Sequence, residues 1–435
     1  MSMVVPRGRA NAVPADETRR DFLAGVAGGA LAGAAAAIVS EADAQAGPSP
    51  APRVTEAVAP FRVATSSTAI SDARRRLQAT RWPERETTDG WQQGAPLATI
   101  QALVEYWRTS YDWRRLERRL NAYPQFRTGI DGLGIHFLHV RSPHEHARPI
   151  ILTHGWPGSV VEFLDIIDPL TNPTKHGGQP EDAFHVVIPS LPGFGFSDKP
   201  SEGGWGLPRI ARAWSVLMLR LGYTDYVAQG GDWGAGVTTW MAKQHVDGLA
   251  AVHFNLPIMF PPPVQGAPTE AEKVTIGQLV AFNEKKSAYA EIQKTRPQTI
   301  GYALADSPAG QAAWIYEKLG EWTDSNYEPQ REISRDEMLD NISLYWLTNT
   351  AASSARLYHE SFGTDFTTQR LDVPAAVSVF PGELFRPPRL WGERIYSRLF
   401  YWNEAAHGGH FAAFEQPTVF VEELRAAFRA LPRGG

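Results

Sequence analysis

An aspartate stands at the apex of the glycine-rich stretch Gln229-Gly230-Gly231-Asp232-Trp233-Gly234. A short apolar run at residues 225–228 leads into it, and a helix-like stretch at 237–245 follows. A strand entering a tight turn and then a helix pushes the apical side chain into a cleft, and glycines leave room for the strained backbone. A serine at that apex serves acyl transfer, whereas a carboxylate there can itself be alkylated. Partners follow in a usable order. Glu383 lies in Phe380-Pro381-Gly382-Glu383-Leu384 and His410 in His407-Gly408-Gly409-His410-Phe411, each just past the carboxyl end of an expected strand. His410 is preferred to His407 because glycines on one side and Phe411-Ala412-Ala413-Phe414 on the other suit a buried loop. Asp372 sits at the wrong end of its strand and Glu404 is too close in sequence to His410, so Glu383 is the expected acid. After an apolar run at 149–153, His154-Gly155-Trp156-Pro157-Gly158-Ser159 turns the chain so that the Trp156 N–H can point into the site. Together with the N–H of Trp233 it could hold a developing oxyanion.

These groups need a frame that brings them to one rim. From residue 135 onward, apolar runs at 135–140, 149–153, 185–189, 225–228, 250–255, 375–380 and 399–402 alternate with helix-like stretches. Unbroken apolar runs in such alternation predict an α/β fold, a mostly parallel sheet flanked by helices. Ligands bind such sheets at their carboxyl edge. Between 258 and 366 the strand signal vanishes and Tyr, Trp and Leu recur at helical spacing, which predicts a helical lid splitting the core into residues 135–257 and 367–435. Residues 58–134 read as a helical N-terminal segment packed on the core, with an amphipathic period at 100–110. Ser71-Asp72-Ala73-Arg74 is a candidate helix start there.

The N-terminus reads differently. Thr18-Arg19-Arg20-Asp21-Phe22-Leu23, an Ala/Gly-rich apolar run and Ala42-Asp43-Ala44 match the layout of a twin-arginine signal over residues 1–44, so an exported, periplasmic or secreted protein is expected. A flexible linker at 45–57 follows. The chain has no cysteine, which excludes disulfides and thiolate chemistry. Its net charge of -5 comes without a basic stripe, so nucleic acid is not an expected partner. His144-Glu145-His146 and His136 with His139 have ligand-like spacings but fall in a loop and a strand, and no metal is expected. Gly193-Phe194-Gly195-Phe196-Ser197 lacks the lysine of a phosphate loop.

Taken together, His154-Gly155-Trp156-Pro157-Gly158-Ser159, Gly230-Gly231-Asp232-Trp233-Gly234, Phe380-Pro381-Gly382-Glu383-Leu384 and Gly408-Gly409-His410-Phe411-Ala412-Ala413-Phe414 resemble the microsomal-type epoxide hydrolase family, which includes the juvenile-hormone epoxide hydrolases. The resemblance runs from about residue 60 to the C-terminus. It implies the α/β-hydrolase fold, Asp232 as nucleophile, His410 as base and Glu383 as its orienting acid. It also implies two lid tyrosines that bind and protonate the epoxide oxygen, matched here by Tyr289 and Tyr358. The implied reaction makes a vicinal diol through an alkyl ester of Asp232, with no cofactor. An aromatic-rich lid points to a lipophilic epoxide. Vertebrate members carry an N-terminal membrane anchor where this chain has an export signal, which leaves peripheral membrane contact open, as is the oligomeric state. A haloalkane dehalogenase would share the Asp nucleophile but release halide rather than diol. A non-catalytic binding protein on the same scaffold would be expected to lack one of the three relay residues.

Overall fold

Nine strands make one sheet in the computed structural model, which describes residues 55–257, 266–363 and 370–432. The export signal expected at residues 1–44 lies outside the described residues. In chain order the strands are β1 (Ala59–Phe61), β2 (Gln125–Ile130), β3 (Leu133–Val140), β4 (Arg148–Thr153), β5 (Phe184–Pro189), β6 (Tyr226–Gly230), β7 (Leu249–Phe254), β8 (Leu371–Val379) and β9 (Tyr396–Glu404). Their spatial order is β1-β2-β3-β5-β4-β6-β7-β8-β9. Every pairing from β5 to β9 is parallel, while β1, β2 and β3 extend the sheet antiparallel. β6 is buried at every position, as a central strand covered on both faces must be. The helix Leu207–Arg220 buries Ile210, Ala211, Trp214, Leu217 and Met218, one apolar face at helical spacing.

The topology makes the crevice. From β4 the chain crosses to β5 on one side, then returns to β6 on the other. Connections leaving in opposite directions open a gap at the carboxyl ends of β4 and β6, where Thr153 pairs with Gly230.

Two expectations need correction. β1 and β2 fall inside residues 58–134, which were expected to be helical. β2 reads Gln-Phe-Arg-Thr-Gly-Ile and shows no clean period of two; its pairing with β3 makes it a strand. The first helix, Ser67–Gln78, starts before Ser71, because the Ser66 side chain caps it by accepting the Ala69 N–H at 3.0 Å. Two more helices, Leu97–Thr109 and Arg115–Asn121, complete this segment.

Among the described residues, the lid consists of the α-helices Glu270–Lys285, Ala288–Thr295, Pro297–Asp306, Pro308–Trp322, Arg335–Thr348 and Ala351–Ser361, with a single 3₁₀ turn at Pro329–Arg331. Local sequence starts two of them. Thr269 with Glu272, and Ser334 with Glu337, form reciprocal capping boxes.

The N-terminal segment grips the lid helix Arg335–Thr348. Asp340, with no exposed side-chain surface, accepts the Tyr111 hydroxyl at 2.8 Å and the Arg119 guanidinium at 3.1 Å, and pairs with Arg115. Trp107 Nε1 donates to Ser343 Oγ at 2.9 Å. The far side of the same helix holds the loop after β4: Asn341 donates to the Pro157 carbonyl at 2.8 Å and Tyr345 to the Gly158 carbonyl at 2.8 Å. The segment thus reaches the loop carrying Trp156 through one lid helix.

Candidate active site

Asp232 sits between β6 and the helix Trp233–Lys243 at φ 50° and ψ −130°, a conformation that costs a non-glycine residue about 1–3 kcal/mol. The surrounding structure imposes it. A Cβ on Gly230 would strike the Gly234 carbonyl, and one on Gly234 would strike the Thr153 carbonyl. The strand and helix therefore meet backbone to backbone, and the carboxylate stands up into the crevice.

Two groups meet that carboxylate, Trp156 and His410, and the Trp233 N–H stands next to it in the chain. The Trp156 N–H donates to Oδ1 at 2.8 Å. Trp233 is the first residue of the helix, so its N–H has no intrahelical acceptor. His410 Nε2 lies 3.3 Å from Oδ2, and its Nδ1 lies 2.8 Å from Glu383 Oε1. The Glu383 and His410 loops lie side by side because the Gly382 N–H donates to the Gly408 carbonyl at 2.9 Å and Gly382 pairs with Gly409. The lid holds the histidine as well, since the His410 N–H donates to the Trp322 carbonyl at 2.9 Å. Burial alone would discharge His410, but the Glu383 charge and the bonds to Asp232 and Glu383 outweigh it and hold the imidazole pKa well above its ordinary value. The resting base is a cation between two carboxylates. His407 is exposed and takes no part.

Tyr289 and Tyr358 come from two lid helices and close the site from above. The Tyr289 ring stacks on Trp156 at 5.2 Å and 11°, and the Tyr358 ring meets Trp156 edge-on at 5.8 Å and Trp233 at 4.7 Å. The two tyrosine rings are 5.9 Å apart. Burial, with the Asp232 charge adding to it, raises both phenols well above their ordinary pKa, so both are protonated donors. Tyr358 Oη is buried without an acceptor in ordinary hydrogen-bond geometry. All seven residues expected from the sequence, Asp232, His410, Glu383, Tyr289, Tyr358, Trp156 and Trp233, are brought to one place.

Others at the site went unnoticed in the sequence. Lys318, almost wholly buried, places its ammonium 4.5 Å from the Tyr289 ring centroid and pairs with Glu317. Glu415 accepts the Phe411 N–H at 2.9 Å and the Asp324 N–H at 2.8 Å, tying the histidine loop to the lid; burial pushes its acid up to about 8. Glu162 lies on the 3₁₀ turn Val160–Ile166 beside His410. The Ser159-x-x-Glu162 pattern was a visible signal for its capping bond, not for its position.

A carboxylate on a strained strand–helix turn, facing a histidine and acid on a parallel sheet, defines an α/β-hydrolase. Residues 148–308 match the family described as alpha/beta hydrolase fold, and residues 58–163 match that described as Epoxide hydrolase N terminus. A candidate epoxide hydrolase of Stigmatella aurantiaca (strain DW4/3-1) is 62% identical over 377 residues, covering 86% of this chain and 85% of that protein. Epoxide hydrolase 1 of Sus scrofa is 36% identical over 420 residues, covering 87% and 90%. The solved structure of Aspergillus niger epoxide hydrolase superposes with a TM-score of 0.78 at 33% identity, covering 87% of this chain and 98% of that one. The chain belongs to the epoxide hydrolase family, and its reaction is the addition of water to an epoxide.

Proposed function

We propose that this hydrolysis runs through a covalent ester of Asp232, with Tyr289 and Tyr358 as acid, His410 as base and Glu383 as its orienting partner. One observation carries the reading: His410 bridges Asp232 and Glu383 at 3.3 and 2.8 Å beneath two buried, protonated tyrosines. Asp232 Oδ attacks an epoxide carbon from the back and the C–O bond breaks. A tyrosine protonates the oxygen, and the resulting tyrosinate takes its proton back from the His410 imidazolium. Alkylation loosens the base's proton: the Glu383 charge and bond remain, but the Asp232 bond and charge that also held the proton on His410 are gone once that carboxylate is an ester. Neutral His410 then takes a proton from water as the water oxygen attacks the ester carbonyl. The oxyanion falls on the N–H groups of Trp156 and Trp233. Collapse breaks the acyl–oxygen bond, the leaving alkoxide takes the carboxyl proton, and the diol departs. Asp232 and the His410 cation are restored, so protons balance over the cycle.

Trp156, Trp233, Trp322 and Phe362 around the tyrosines favour a lipophilic epoxide. The test is a single turnover in oxygen-18 water with a styrene-type and a small aliphatic epoxide, followed by mass analysis of the Asp232 peptide. Label in Asp232 and faster turnover of the aryl substrate are expected. Diol formed with an unlabelled Asp232 removes the ester, and equal rates remove the lipophilic preference.

A further inference from the structure

We propose that the Glu162 carboxyl holds the hydrolytic water against His410. This rests on the ester reading above, because only that reading has a separate water step. Beneath Asp232 and His410 lies a cavity of about 20 Å³, lined also by Glu162, Thr153, Gly155 and Asn255. A water needs roughly 10–15 Å³ of such space and two to four polar partners, so this cavity has room for one.

Glu162 is built for that place. One oxygen, Oε1, is tethered by the Ser159 N–H at 3.0 Å, and Ser159 is tethered in turn to Asn341 at 2.7 Å. No described group bonds the other oxygen, Oε2, and Glu162 is among the residues that line the cavity. Gly158 makes the room, since a Cβ there would occupy the carboxyl's position. Burial, reinforced by the charges of Asp232 and Glu415 and opposed by His410 and the Ser159 N–H, pushes the acid up to about 8. Oε2 keeps lone pairs to accept a water O–H whether or not it carries the proton. A water bonded to Oε2 and to His410 Nε2 has its oxygen turned toward the Asp232 carbonyl carbon. Its proton passes to His410, its oxygen joins that carbon, and the acyl–oxygen bond to the substrate then breaks. Glu162 ends in the state it began in.

The test is Glu162→Gln, which keeps the Oε1 bond to Ser159, studied by rapid quench and stopped-flow in the full chain with styrene oxide. Ester formation should stay within about twofold while ester breakdown slows about tenfold or more, the worth of a lost hydrogen bond to the reacting water. Ester should then accumulate at a melting temperature no lower than that of the wild type. Breakdown at the wild-type rate, or both steps slowing equally, overturns the proposal. Ala413→Val narrows the same cavity and should also slow breakdown alone, which keeps the question decidable if the Gln variant does not fold. If the wild type forms no ester, it is the underlying mechanism that fails; if it does and Glu162→Gln behaves like it, only the role of Glu162 fails.

Discussion

Removing the Asp340 carboxylate should weaken the fold and the catalysis together. Asp340→Ala strands two guanidiniums and a phenol that converge on one fully buried carboxylate. Breaking one side of a buried ionic cluster costs about 3–5 kcal/mol. Arg115 and Arg119 retain 25% and 18% of their side-chain exposure and can be rehydrated in part. A loss of about 2–4 kcal/mol is therefore expected. At roughly 2 °C per kcal/mol in a chain of this size, the melting temperature should fall by about 4–8 °C. The same helix holds the Trp156 loop through Asn341 and Tyr345, so kcat measured well below the melting range should drop about tenfold to a hundredfold as the oxyanion donor is misplaced. Asp340→Asn, which keeps the Tyr111 acceptor, should lie between the two. A melting shift under about 1 °C refutes the buried-pair estimate. A full shift with unchanged kcat refutes the mechanical link from segment to site.

Two further outcomes follow from the site. Tyr289→Phe and Tyr358→Phe should each slow ring opening by about a hundredfold while leaving ester breakdown intact, read from tryptophan fluorescence in single turnovers; opening at the wild-type rate in both variants removes the tyrosines as acids. His410→Gln should trap the ester, and it should also change the pH dependence of stability. His410 has a folded pKa above its unfolded one, so its charge contributes stability that is fully present below about pH 6.5 and lost as pH rises through the folded value. Urea denaturation should give the largest gap between wild type and variant near about pH 6 and a smaller one near about pH 9; a gap that widens with pH has the wrong sign.

Much of the site was legible because its chemistry is written in short local patterns. Gly230-Gly231-Asp232-Trp233-Gly234 can do little except bend a strand into a helix with the carboxylate at the apex: a side chain on Gly230 is excluded by the Gly234 backbone within the same turn, while one on Gly234 is excluded by Thr153 at the end of β4, a contact only the fold supplies. The relay order and the all-helical lid were visible for the same reason, a run of residues whose period or spacing needs no distant partner. The strands β1 and β2 were not visible, because β2, of mixed polarity, owes its existence to pairing with β3, and the edge strand β1 owes its own to β2.

What the amino-acid order determined alone was which groups could react and in what chain sequence. Which groups surround them was decided by folding. Asp340 meets Tyr111 from 229 positions away, and no local pattern carries a contact of that span. Glu162 is an ordinary capping acid in sequence and becomes a raised-pKa carboxyl only when β4 and β6 open their crevice beside His410. Solvation and the charges across a gap set a carboxyl's behaviour, and both come into being only with the tertiary structure.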